Sequence, residues 1–185
     1  MPYSTEYTTE NLTTSLAVYL ANNFTQAGWA IYWQATDVLS GTATMGEVTL
    51  VPEFPNDPNV LTLDSGTRTA DKVFVPAFSV RIEEPVEMAR AGLGEDLFET
   101  RTMGVIEGYA KNEAQHLAFA TMLRNWFREG YNLPVYNYTA DPANPPVIDG
   151  AVVFENRVID RVKFVDLPRP VKYYINLEVD IVYFD

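Results

Sequence analysis

Over positions 171–185 the chain alternates apolar and polar residues almost without a break. Val171, Tyr173, Ile175, Leu177, Val179, Ile181 and Tyr183 fall on one parity, and Tyr174, Asn176, Glu178 and Asp180 on the other. A period of two sustained over this length puts one face of a β-strand in a core and the other in water or against a partner. A strand this well patterned is expected to be central in its sheet. A different period governs residues 9–27, where Leu12, Leu16, Tyr19, Leu20 and Phe24 recur at three- and four-residue steps. That spacing predicts an amphipathic helix, stopped by Gly28. A second helix is expected over 113–129, capped by Asn112, with Gln115 completing a capping box and Gly130 ending it. Its buried stripe reads as Leu117, Ala120, Leu123 and Trp126 or Phe127.

The remaining segments read mostly as strands and loops. Residues 72–83 form a strand with Phe74, Phe78, Val80 and Ile82 on one face. Pro76 cannot donate to a ladder, so it marks an edge or a bulge. Residues 97–110 are its expected antiparallel partner, across a wide loop at 84–96 broken by Pro85, Gly92 and Gly94. Ala30–Trp33 reads as a short buried strand, and further short strands are expected at Glu47–Val51, 60–63 and 135–138. Asp149-Gly150 reads as a tight hairpin turn leading into a strand over 151–166. The spacing of Phe154, Val158, Val162 and Val165 would also suit a helix. The order of elements predicts one α+β domain over 1–185: a mainly antiparallel sheet with two amphipathic helices packed on it. Extended loops are expected at 34–71, 84–96 and 131–146.

Composition narrows the chemistry. The 185 residues carry a formal charge of −12, no cysteine and one histidine. The acidic balance argues against a protein that grips phosphates over a broad basic face. Without cysteine there are no disulfides or thiolate metal sites, as expected of a chain made in a reducing cytoplasm. The first ten residues are polar and lack the apolar centre of a signal peptide, and no apolar run reaches membrane-spanning length.

No catalytic constellation emerges. Glu113-x-x-His116 is half of a di-iron carboxylate motif, whose logic needs a second copy on a facing helix, and the sequence has none. His116 therefore reads as a polar residue on the exposed side of its helix. Glu83, Glu84, Glu87, Glu95 and Asp96 read as a solvated acidic rim. Gly92-x-Gly94 is followed by carboxylates and lacks the lysine of a phosphate-binding loop. The chain is expected to be no enzyme, with no catalytic residue, cofactor or metal. Candidate contact residues lie elsewhere. Pro85, Val86, Met88 and Leu93 form an apolar centre inside the acidic rim, as a docking surface requires. Trp29, Tyr32 and Trp33 would line a ligand cup, fill a core or form a subunit interface. Arg157 and Arg161, with Lys163, form the densest basic group. They would occupy the wet side of a strand or make ion pairs between subunits.

Taken in order, these elements resemble the tail-terminator proteins of long-tailed bacteriophages. That family opens with an amphipathic helix (here Leu12 to Phe24) and continues with a strand pair (here 73–83 and 97–110). A helix follows (here 113–129), and a strongly alternating strand closes the chain (here 171–184). The resemblance implies a homo-oligomeric ring, commonly a hexamer, at the head–tail junction of the virion. Such a ring ends growth of the tail-tube protein and joins the tail to the head-side connector or adaptor. It would be assembled in the host cytoplasm, with DNA passing its lumen without tight binding and no membrane involved. The length of 34–71 and the extra strand material over 131–166 depart from the compact pattern. They leave open a neighbouring neck role, such as head closure or tail completion. The alternative is a small non-enzymatic α+β domain that binds a ligand or a partner.

Overall fold

The structure, a computed structural model, describes residues 9–34, 46–54, 60–63, 66–69, 72–83, 87–90, 98–137 and 147–184. The elements run α1 (Thr9–Gln26), β1 (Ala30–Trp33), β2 (Glu47–Val51), β3 (Leu61–Thr62), β4 (Val73–Phe74), β5 (Ala77–Ile82) and β6 (Glu87–Arg90). They continue with β7 (Phe98–Ala110), α2 (Glu113–Trp126), β8 (Asn132–Asn137), β9 (Val147–Lys163), α3 (Arg169–Lys172) and β10 (Tyr173–Phe184). The main sheet is ordered β1-β2-β5-β7-β10-β9-β8, with β6 also pairing β7, and β3 and β4 make a small separate pair. The architecture is α+β. Most pairings are antiparallel, but β1, β2 and β5 run parallel to one another. The alternating strand β10 sits between β7 and β9, as its pattern predicts.

Both long helices cover one face of this sheet. Leu12, Leu16, Leu20 and Phe24 of α1 join Phe119 and Leu123 of α2, and Phe127 just beyond it, over Phe78, Ile106, Phe154, Ile175, Leu177 and Ile181. The Asn112 side chain accepts from the Gln115 backbone N–H at 2.9 Å, and the Gln115 side chain accepts from the Lys111 N–H at 2.7 Å. The first bond satisfies a donor that a helix start leaves open; the second reaches the residue before the cap, one position further back than a capping box. The Tyr19 hydroxyl donates to the Trp126 carbonyl at 2.6 Å and ties the two helices together. Burial pushes its phenol up to about 12. On the opposite face a smaller cluster of Val51, Leu61, Val73, Val75, Ala77 and Val171 packs the β3–β4 pair and α3 against one end of the sheet.

The strand β7 leaves room for side chains of its neighbours and of α1 to close over it. Its helix-facing parity reads Thr100, Thr102, Gly104, Ile106, Gly108 and Ala110, and all six are buried. A methyl group added at Gly108 would lie 2.2 Å from the Phe78 ring, and one added at Gly104 would lie 3.0 Å from Leu16 and 2.9 Å from Ile181. Glycine inside a strand usually weakens it; here it marks a close approach.

The structure corrects several expectations. Asp149-Gly150 is no turn: β9 runs through it, with Val135 opposite Gly150 and Tyr136 opposite Ile148. Asp149 is thus the extra residue of a bulge, an alternative use of a turn-like dipeptide. The strand expected over 72–83 is divided at Pro76, which follows a cis peptide bond; β4 pairs β3 while β5 pairs β2 and β7. The stripe of α2 is rotated. Leu117 is 55% exposed, and His116, Phe119, Ala120 and Leu123 are buried. The 84–96 loop contains β6, and Ala30–Trp33 is only partly covered.

Gly108→Ala is expected to cost about 1–3 kcal/mol through overpacking against Phe78. Urea unfolding of the variant checks this. Combining it with Phe78→Leu should recover part of the loss, as coupled neighbours do.

Candidate interaction surfaces

A bulge in β9 decides which of its side chains meet the helices. Glu178 pairs Val158 and Asp180 pairs Glu155, so Val179 faces both Asn156 and Arg157. Asn156 takes the left-handed conformation this needs, at φ 38°, which asparagine tolerates better than most residues. Beyond the bulge the parity is shifted, and Arg157, Arg161 and Lys163 line up along α2. Arg157 Nη1 donates to the carbonyls of Arg124 at 2.5 Å and Phe127 at 2.8 Å. It caps the carbonyl end of the helix, where positive charge is favoured. Lys163 pairs with Glu113 at 2.9 Å in the first turn. Arg161 is exposed between them. Two of the three basic residues are therefore engaged within the chain.

His116 lies under this row, 4% exposed, which corrects its expected exposure. Its Nε2 donates to the Tyr174 carbonyl at 2.8 Å, and its ring lies against Tyr173. The helix carries it inward because α2 is rotated about its axis relative to the expected stripe. Burial holds the imidazole below its usual value. Among the described residues, no group of three or more His, Asp or Glu side chains could hold a metal ion.

The three aromatics after α1 are separated. Trp29 packs edge-on against Phe119 with centroids 5.2 Å apart. Tyr32 carries the Arg68 guanidinium 3.3 Å over its ring. Arg68 is buried and ion-paired with Glu47, and this fastens residues 66–69 to the β1–β2 edge. Burial lowers the value of Arg68. Trp33 is half exposed and borders an apolar hollow of about 230 Å³. The hollow lies between α1 (Thr13, Thr14, Ala17) and the strand residues Leu50, Val51, Phe78 and Val80.

The sheet face away from the long helices carries charge ladders. Arg101 meets Glu99 at 3.2 Å and Glu155 and Asp180 at 3.1 Å each. Arg81 pairs with Glu107, which also accepts from the Tyr174 hydroxyl at 2.5 Å. These contacts bridge neighbouring strands and are partly exposed, so each contributes modestly.

The surface that the sequence reading missed is the end of β9. Strand β8 covers only Val147 to Val153 of β9. Past that point Val158 (50%), Val162 (36%), Phe164 (36%), Val165 (76%) and Leu167 (45%) are exposed. They make up five of the eight large hydrophobics left exposed among the described residues. The sequence reading took Phe154, Val158, Val162 and Val165 only as strand or helix spacing, which does not tell whether a neighbouring element covers them. Of the expected loop-tip contacts, Met88 falls on β6 opposite Thr100, while Pro85, Val86 and Leu93 lie outside the described residues.

Arg68→Ala is expected to destabilise the protein by about 3–5 kcal/mol, because it removes one partner of a buried ion pair. Chemical unfolding measures this. His116 gives a pH signature. The unfolded chain takes up its proton near 6.5, and the folded chain only at lower pH. Its contribution to stability is therefore intact above about pH 6.5 and is lost as pH falls toward the folded value. The melting-temperature lead of the wild type over His116→Gln should shrink as pH is lowered from about 8 to about 5.

No protein-family model matches the chain, and no curated protein matches it either.

Proposed function

We propose that the chain is a virion structural protein that forms a ring at the head–tail junction of a long-tailed bacteriophage. The ring ends growth of the tail tube and joins the tail to the head-side connector. The observation that carries this reading is the exposure of apolar side chains at the end of β9. Val158 and Val162 lie on the part of β9 whose outer edge no described strand covers, and Phe164, Val165 and Leu167 follow in the link to α3. Exposed apolar side chains gathered in one part of a domain mark a contact surface, and an open strand edge is a liability that an assembled protein covers. The body behind it is stiff, since β7, β10 and β9 pair over long registers under a two-helix layer. A ring part needs that stiffness and needs no active site. The formal charge of −12 suits a lumen that lets DNA slide past without trapping it.

Light scattering of the purified protein, with negative-stain imaging of the same sample, tests this. The expected result is a closed ring whose mass is a whole multiple of the chain, in equilibrium with monomer. Gel-shift titration with duplex DNA at physiological salt should show no sub-micromolar binding. A protein that stays monomeric at every concentration would instead favour the ligand-binding alternative, with the hollow beside Trp33 as its site.

A further inference from the structure

We propose that the cleft between α1 and β8 binds a small neutral sugar, at a site that does not depend on ring formation. The cleft holds about 320 Å³. That lies at the lower end of the roughly 300–1,000 Å³ of small-molecule sites. One wall is the side of α1 that carries Tyr19, Asn22, Asn23 and Gln26. These positions recur at three- and four-residue steps, so they form one row along the helix. The facing wall is Tyr131 together with Leu133, Pro134 and Tyr136 of β8.

None of the ten lining residues carries a charge, in a chain of formal charge −12. A phosphate, carboxylate or amine would lose water there and gain no ionic partner. Arg128, a cation that acts on Tyr19, is spent on the Asn125 carbonyl at 2.7 Å. What the cleft offers instead is three amides. Each amide has N–H donors and a carbonyl acceptor, and a sugar hydroxyl both donates and accepts, so the two match in either role. The amides of Asn22 and Gln26 have no hydrogen bond to a described residue. Asn23 Nδ2 donates to the Tyr19 carbonyl at 2.9 Å, which fixes that side chain and leaves its Oδ1 to accept.

The tyrosines complete the match. Tyr131 is 39% exposed and offers aromatic surface to the apolar C–H face that a sugar ring also carries. Tyr19 and Phe154 hold it in place, with centroids 5.1 and 5.8 Å away. The Tyr131 hydroxyl and the Asn23 amide both lie beside the Tyr19 phenol, so polar groups from the two walls converge. That phenol gives its proton to the Trp126 carbonyl at 2.6 Å, and its oxygen remains an acceptor. The walls are tied together where Ser15 Oγ receives the Tyr136 N–H at 3.0 Å. A cleft fixed in this way costs a ligand little reorganisation.

Calorimetric titration of the full chain tests the site. The sugars are glucose, galactose, mannose, N-acetylglucosamine, maltose and lactose. Adenosine and a neutral Gly-Ser peptide stand for the other ligands that amides and tyrosines could hold. At least one sugar should saturate with a Kd of about 1 mM or tighter. Asn22→Ala with Gln26→Ala should weaken that sugar about tenfold, as the loss of two neutral hydrogen bonds predicts. Both side chains are exposed on a helix, so the melting temperature of the double variant should not fall. A sugar that binds the double variant as well as the wild type would overturn this cleft as its site. The absence of saturable binding by every sugar would overturn the proposal, and so would adenosine or the peptide binding where no sugar does. None of these results touches the ring-forming role, which light scattering reads separately.

Discussion

The room left by small residues on β7 is the constraint on which the rest of the structure depends, because side chains of β5, β10 and α1 close over them. At Gly108 there is no room for a methyl group beside the Phe78 ring, and at Gly104 Leu16 of α1 and Ile181 of β10 close in from both sides. Those two positions bring α1, β5, β7 and β10 into one packed unit. Once α1 is seated, Ser15 receives the Tyr136 N–H at the outer edge of β8 at 3.0 Å, and Tyr19 reaches the carbonyl end of α2. Once α2 is seated, its two ends are held by Lys163 and Arg157 of β9. The bulge at Asn156 is what turns those two side chains toward the helix. The polar contacts thus follow from the apolar packing and fix its register. They would be poor anchors alone, because most are partly exposed.

The same constraint explains what could be read from the sequence. Strand β10 was legible because its buried parity is made of large side chains: Ile175, Leu177, Val179 and Ile181. Helix α1 and the cap of α2 were legible for similarly local reasons, a strong period and an Asn-x-x-Gln start. The helix-facing parity of β7 was hidden, because residues chosen for smallness carry no hydrophobic signal. Around His116 the sequence misled, since a polar residue was assigned outward while a carbonyl on β10 waited to pair with it. Asp149-Gly150 misled in another way. The dipeptide that makes a tight turn also makes a bulge, and only the register of β8 decides between them. The exposure of the apolar residues at the end of β9 was not legible, because periodicity reports which residues could be buried together and not whether a neighbouring element covers them.

The division of labour in the molecule bears on its role. Large side chains fill one face of the sheet beneath two helices, and a second small cluster closes one end of the other face. The polar groups that are most altered by burial are each tied into the fold. His116 holds a backbone carbonyl, Tyr174 a carboxylate, Tyr19 a helix end, and Arg68 an ion pair over an aromatic ring. Altered titration often marks catalytic groups, but here it accompanies structural bonds. Among the described residues, apolar surface is left exposed past the covered part of β9, and an apolar hollow opens beside Trp33.

The most direct test of that role is to image particles made with and without this chain. With it, tails should have one length and be joined to heads. Without it, tail tubes should grow past that length and heads should stand free. Particles that are indistinguishable in the two preparations would contradict the account.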